Sequence, residues 1–223
     1  MLGKNPGTPY TFQVHAEDVT ASSQLSIQVV DQLQSVPIHQ DIIIVCIGTD
    51  RSTGDSLGPL IGASLEKKNL KRLFVYGTLK HPVHAVNLED TLNEINRQHQ
   101  DPFIIAIDAC LGRLKNVGKI NFSQGPVIPG AAMKKKLPHV GEMHVTGIVN
   151  VSGMMEYFVL QNTRLYLVMT MAEAIAKALV SADRKLKTKA APSISPSSSQ
   201  NSIYKRGTSE VESALSLQNN SPR

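Results

Sequence analysis

Two aspartates carry the chemistry this sequence offers. Asp108 directly follows the apolar run Phe103-Ile104-Ile105-Ala106-Ile107. Asp55 lies in the loop Gly48-Thr49-Asp50-Arg51-Ser52-Thr53-Gly54-Asp55-Ser56-Leu57-Gly58-Pro59, which follows a second apolar run, Ile42–Ile47. Adjacent strands lie about 4.8 Å apart, so if the two runs are neighbouring strands their aspartates can face one another. Close carboxylates cannot both ionise cheaply, and one keeps a proton. The ionised partner can then take a proton from water. The protonated partner can polarise a carbonyl or protonate a leaving nitrogen, which suits amide hydrolysis. The sequence does not assign the two roles. Two plainer readings stand beside this one: Asp55 as the N-cap of a helix that starts at Ser56, and Asp108 as a strand-end residue satisfied by loop amides.

Other chemistries fit the residue pattern less well. The glycine loop lacks the Lys of a G-x-x-x-x-G-K-S/T phosphate loop. It also fails the G-x-G-x-x-G dinucleotide pattern, because position 50 is Asp. Asp50 and Asp55 would repel phosphate as well. A divalent ion could be held by Asp55, Asp108 and either His139 or His144, but no H-E-x-x-H or C-x-x-C spacing is present. Cys46 lies inside an apolar run and reads as core. Cys110 lies near the aspartates without a His at nucleophile spacing. Of these rivals the metal site is the stronger, whereas the paired-carboxylate reading itself calls for neither cofactor nor metal.

The elements that must position the aspartates alternate strand and helix. Strand signals are Ile42–Ile47, Leu73–Gly77 and Phe103–Ile107, with weaker ones at Lys119–Phe122 and Met143–Val149. Helical spacing appears within Ala16–Val36 and over Ser56–Lys68, Leu88–His99, Gly153–Leu160 and Leu165–Ala182. In the last of these, Val168, Met171, Ala172, Ile175 and Leu179 form the apolar stripe, and Glu173 and Lys177 form an i, i+4 pair. This order predicts an α/β fold of three layers: a mostly parallel twisted sheet with helices on both faces. In such sheets ligands bind beyond the carboxyl ends of the strands, where both aspartates fall.

Composition sets the frame. Aromatics are 4% and Trp is absent, so the core must be aliphatic. Two cysteines rule out a disulfide scaffold. No continuous apolar run reaches the ~18 residues of a membrane span, and the first residues lack an apolar signal core. We expect a cytoplasmic protein that binds neither membrane nor nucleic acid. Of the net charge of +5, the last 37 residues hold +3, and Lys134-Lys135-Lys136 reads as a solvated loop. Residues 1–15 read as an extended N-terminal arm, 16–186 as one domain, and the Ser-rich stretch 187–223 as a disordered tail. The apolar helices late in the domain leave a homo-oligomer open.

The segments IGTDRSTGDSLGP, IDACLG, GPVIPGAAMKKKLP and HVTGIVNVSGMMEYFVLQNTRLYLVM closely resemble the YyaC-type sporulation proteins of spore-forming Firmicutes, across roughly residues 15–182. That family resembles, more distantly, the germination protease, which degrades the small acid-soluble proteins of spores, and in fold the hydrogenase-maturation endopeptidases. In the germination protease the first loop has the form G-N-x-x-x-T-P-D-x-L-G-P. Here Gly48, Thr53, Asp55, Leu57, Gly58 and Pro59 match, while Thr49 replaces Asn and Gly54 replaces Pro. Ile107-Asp108-Ala109 matches its I-D-A strand end, and Val127-Ile128-Pro129-Gly130 its G-I-x-P-G segment. The resemblance implies metal-independent proteolysis by Asp55 and Asp108, with Gly48, Thr49, Asp50, Thr53, Gly58, Pro59, Pro129 and Gly130 supporting the loops or the substrate. It further implies a forespore or spore-core location and a spore-protein substrate. Two other readings are a non-catalytic sporulation factor on a peptidase-like scaffold, prompted by the short chain and altered first loop, and a nickel-reading maturation peptidase, prompted by the acidic pair and nearby His144.

Overall fold

The structure is a computed structural model that describes residues 10–129 and 137–188. Its elements are β1 (Thr11–His15), α1 (Ala21–Leu33), β2 (Ile42–Cys46), α2 (Leu57–Glu66), β3 (Leu73–Tyr76), α3 (Leu88–Gln98), β4 (Phe103–Gly112), β5 (Lys119–Gln124), β6 (Met143–Val151), α4 (Glu156–Gln161) and α5 (Leu165–Lys185), with a 3-10 turn at Gly54–Ser56 leading into α2. They form one six-stranded sheet in the order β1-β5-β6-β4-β2-β3. Strands β6, β4, β2 and β3 are mutually parallel, whereas β5 runs antiparallel to both β6 and β1. The expected mixed, mainly parallel α/β sheet is what the chain forms.

Alternation along the strands explains the layers. In β2 every residue is buried, because Ile42, Ile44 and Cys46 enter one apolar cluster while Ile43 and Val45 enter another. The larger cluster receives Leu25, Val29 and Leu33 from α1, Leu57, Ile61 and Leu65 from α2, and Val168, Met171, Ile175 and Leu179 from α5. The smaller receives Leu88 and Ile95 from α3, with Val83 and Val140. A strand buried on both faces reads as an unbroken apolar run, which is why β2 was plain in the sequence. The predicted stripe of α5 is its buried face, and Lys177 Nζ stands 3.3 Å from Glu173 Oε2 on the exposed side. This helix is long and apolar enough to cross a membrane by length and composition, yet half of its most apolar stretch is packed inside the protein, as in a core helix.

The structure moves two boundaries. Thr11–His15, read from the sequence as part of an extended arm, pairs in register with β5 from Thr11↔Ser123 to His15↔Lys119 and forms one edge of the sheet. Strand β4 does not stop at Ile107; it runs to Gly112, paired with β6 through Gly112↔Val151 and with an irregularity between Cys110 and Leu111. Asp108 hid this extension, because it interrupts the apolar run where β4 no longer has β2 beside it. The Ser-rich stretch from residue 189, the lysine run at 134–136 and Gly130 lie outside the described residues.

One buried charge ties the helical layer to the sheet. Asp183 of α5 accepts hydrogen bonds from the backbone amides of Lys71 (2.8 Å), Arg72 (2.8 Å) and Leu73 (3.1 Å), which caps the start of β3. It is 1% exposed. Removing the carboxylate would leave three amides without their partner in a dry site. Asp183→Ala should cost about 3–5 kcal/mol, read as a lowered midpoint in urea unfolding followed by circular dichroism.

Candidate active site

Strand β2 sits where the chain order reverses: α2 leads from β2 to β3 on one side, and α3 leads from β3 across to β4 on the other. The two helices pack on opposite faces, since α2 enters the larger apolar cluster and α3 the smaller. Such a switch point opens a crevice beyond the strand ends. The Ile47 amide donates to the Ile107 carbonyl at 2.7 Å, and past that bond the register of β4 continues with β6, Asp108 facing Thr146. Asp108 therefore stands at the position where β4 loses β2 as a neighbour.

The loop after β2 is folded tightly back on the strand. The Gly48 amide donates to Val83, and the Thr49 amide donates to the Asp55 carbonyl at 3.1 Å. Gly48 has φ +146°, and a Cβ there would stand 2.0 Å from the Asp55 carbonyl oxygen. At Gly58 a Cβ would stand 2.1 Å from the Ile47 carbonyl oxygen. Both glycines are required by backbone-to-backbone contact, and Pro59 packs beside Gly48. Thr53 closes the turn by accepting from the Ser56 amide and hydroxyl. The Thr49 hydroxyl accepts from the Arg51 amide, and Asp50 is exposed at the tip. Pro129 is buried. Neither Thr53 nor Ser56 at the N-termini of the turn and helix makes a side-chain cap, and Asp55 sits inside the 3-10 turn. Asp55 is thus not consumed as an N-cap.

Asp108 senses the charge of Asp55. Burial pushes the Asp108 carboxyl up to about 8; the nearby charge of Asp55 adds to the rise, and the Ala109 amide, 2.9 Å from Asp108 Oδ1, opposes it. Burial also raises Asp55, against the Ser52 hydroxyl, which favours its ionised form. Ser52 is 5% exposed, and its oxygen has no hydrogen bond of regular geometry. It approaches Asp55 loosely, leaving bonding capacity within the site. One strand amide on Asp108 is less than a buried carboxylate needs to ionise comfortably beside another charge.

A polar row extends from this pair across the sheet, and the sequence reading missed it. Gln13 Nε2 donates to Asn121 Oδ1 at 2.7 Å, and Asn121 Nδ2 donates to Thr146 Oγ1 at 3.2 Å. The residues are register partners on β1, β5 and β6, and Thr146 is the partner of Asp108 on β4. The signal existed as period-two spacing, but only pairing brings one residue from each strand into line. Cys110 lies two positions beyond Asp108. Burial pushes its thiol up to about 11, and Asp108 adds to that rise, although Thr146 opposes it. It is protonated near neutrality and is a poor nucleophile. Cys46 is fully buried, as expected of core. Among the described residues no three His, Cys, Asp or Glu side chains gather as metal ligands would. His144 instead holds its Nδ1 2.8 Å from the Gly125 carbonyl.

Raising the folded-state value of Asp108 links stability to pH. The protonated acid is favoured by the fold, so its contribution is fully present below the ordinary carboxylate range and is lost as pH rises through about 8. Asp108→Asn removes the titration. The variant should be more stable than the natural protein at pH ~9, by about 1–3 kcal/mol, with the difference vanishing near pH ~4. Thermal unfolding of both proteins across that range is the measurement.

Residues 13–178, spanning the sheet from β1 into α5, match the family described as "Protein of unknown function (DUF1256)". Over 167 residues the chain is 54% identical to "Uncharacterized protein YyaC" of Bacillus subtilis (strain 168), covering 75% of this chain and 81% of that one. The expected YyaC-type likeness is borne out, and both the loop that carries Asp55 and the strand that carries Asp108 fall within the family match: the chain belongs to the DUF1256 family.

Proposed function

We propose that this protein is an aspartate-type endopeptidase of spore formation or germination, acting without metal at the Asp55–Asp108 pair. The observation that supports the reading is that the charge of Asp55 reaches Asp108, more than fifty positions away in sequence, at the switch point of the sheet. The resemblance to the germination protease and the fold likeness to the hydrogenase-maturation endopeptidases lend the reaction class. The site lends the division of labour.

Asp108 is the acid. It stays protonated at neutral pH and can donate to the scissile carbonyl and then to the departing nitrogen. Asp55 is the base. With Ser52 favouring its ionised form, it takes a proton from the attacking water. The carbonyl carbon gains the water oxygen, the C–N bond breaks, and the proton held by Asp108 leaves with the new amine. Asp55 then returns its proton to Asp108 through solvent, which restores the pair. Low dielectric in the crevice strengthens both transfers. A spore protein in the forespore or spore core, the small acid-soluble class among them, is the proposed substrate.

Asp55→Asn and Asp108→Asn should each lower cleavage of a spore-protein extract by about 10²–10⁴-fold with circular dichroism unchanged. The pH profile of kcat/KM should rise as Asp55 loses its proton, above the ordinary carboxylate range, and fall as Asp108 loses its own near pH ~8. Equal cleavage by both variants and the natural protein would remove the assignment.

A further inference from the structure

At its carboxyl end β6 leads straight into α4, so the hairpin of α4 and the start of α5 stands on the same rim of the sheet as Asp55 and Asp108. This corner is unlike the rest of the surface. Met154, Met155, Tyr157, Phe158, Leu165 and Tyr166 are between 56 and 89% exposed. Single exposed apolar residues are ordinary, but this many large ones at one corner mark an interaction site. Met155 also holds a left-handed backbone, φ +58°, a conformation seldom adopted outside glycine and asparagine.

The hairpin is bound to the aspartate loop. Leu160 is the buried residue of α4. It packs so closely on Gly54, the neighbour of Asp55, that a Cβ there would stand 2.7 Å from its Cδ2 and 3.1 Å from Thr163 Oγ1. The Asn150 side chain donates to the Val159 carbonyl at 3.3 Å and to Thr163 Oγ1 at 3.2 Å. The hairpin that carries the exposed patch is therefore anchored directly on the loop that carries Asp55. Its composition suits varied partners: methionine adapts its shape, and tyrosine offers an apolar ring with a hydrogen-bonding tip. Such surfaces accept many apolar sequences, whereas a fixed contact between two copies selects a rigid, self-complementary patch.

We infer that this hairpin is the docking surface for an unfolded polypeptide segment bearing large apolar side chains, which it holds beside the aspartate crevice. The inference rests on the endopeptidase reading and adds the substrate class: chains whose scissile bond is flanked on one side by Leu, Met or aromatic residues. A site that meets apolar residues before the scissile bond selects unfolded chains, because folded proteins bury those residues.

The probe is reduced, carboxymethylated α-lactalbumin, a permanently unfolded chain, labelled for fluorescence anisotropy and tested with the full-length protein. Tyr157→Ser/Phe158→Ser should weaken binding at least tenfold without lowering the unfolding temperature, since both side chains are exposed. It should raise KM for cleavage of the probe while sparing kcat, and Asp108→Asn should bind normally and not cleave. Cut sites should have Leu, Met, Phe or Tyr on one consistent side. Unchanged binding by the double variant, or natural protein that holds the probe no better than a Ser/Gly-rich chain of equal length, overturns the inference. So does sedimentation showing a dimer that the double variant converts to monomer, which would make the corner a self-interface. Binding lost in the patch variant, with cleavage by the natural protein and both Asn variants equal, would leave docking intact and sink the aspartate mechanism instead.

Discussion

The site depends on two backbone contacts at the carboxyl end of β2. Gly48 lies against the carbonyl of Asp55, and Gly58 lies against the carbonyl of Ile47, each with no space for a side chain. Together they fold the loop back on its own strand and start α2 directly above the sheet. Helix α2 then buries Leu57, Ile61 and Leu65, so the loop cannot relax without opening the core. The position of Asp55 is consequently fixed by close-packed backbone, and the Ser52 hydroxyl approaches its carboxylate only loosely. This matters because a carboxylate without fixed bonds is free to exchange protons.

The sheet supplies the opposite partner through an asymmetry of pairing. β2 ends while β4 continues beside β6, so Asp108 has a strand on one side and a crevice on the other. Burial raises its proton affinity, and the charge of Asp55 adds to the rise. Burial raises both carboxyls and one hydrogen-bond donor opposes the rise on each, the Ala109 amide on Asp108 and the Ser52 hydroxyl on Asp55, but like charge adds to the rise on Asp108. Two chemically identical groups are thereby driven apart in behaviour. The row Gln13–Asn121–Thr146 extends this polar environment across three further strands, and β1 is part of the site's support as well as an edge of the sheet.

The corner formed by α4 sits under a different constraint. It is anchored through Leu160, Thr163 and Asn150 and otherwise faces solvent. An element with few buried contacts adds little to global stability, and its apolar exposure is a cost that folding alone does not explain. Its anchors reach the Asp55 loop through Gly54, so whatever covers the corner bears on the geometry of the aspartate pair.

Local pattern was enough for much of the fold. Ile42–Ile47 and Phe103–Ile107 are unbroken apolar runs because their strands are covered on both faces, and the stripe of α5 is legible because one face alone is buried. The loop glycines and both aspartates were visible too, since their types and spacing are set by contacts within a few residues of each strand end. The tertiary structure decided what depends on partners distant in sequence: that Thr11–His15 joins the sheet, that β4 continues past Asp108, and that Gln13, Asn121 and Thr146 align. It also decided that the charge of Asp55 adds to the burial of Asp108. A residue's burial and the charges beside it arise only when separate strands are packed together, and no stretch of sequence contains that distance.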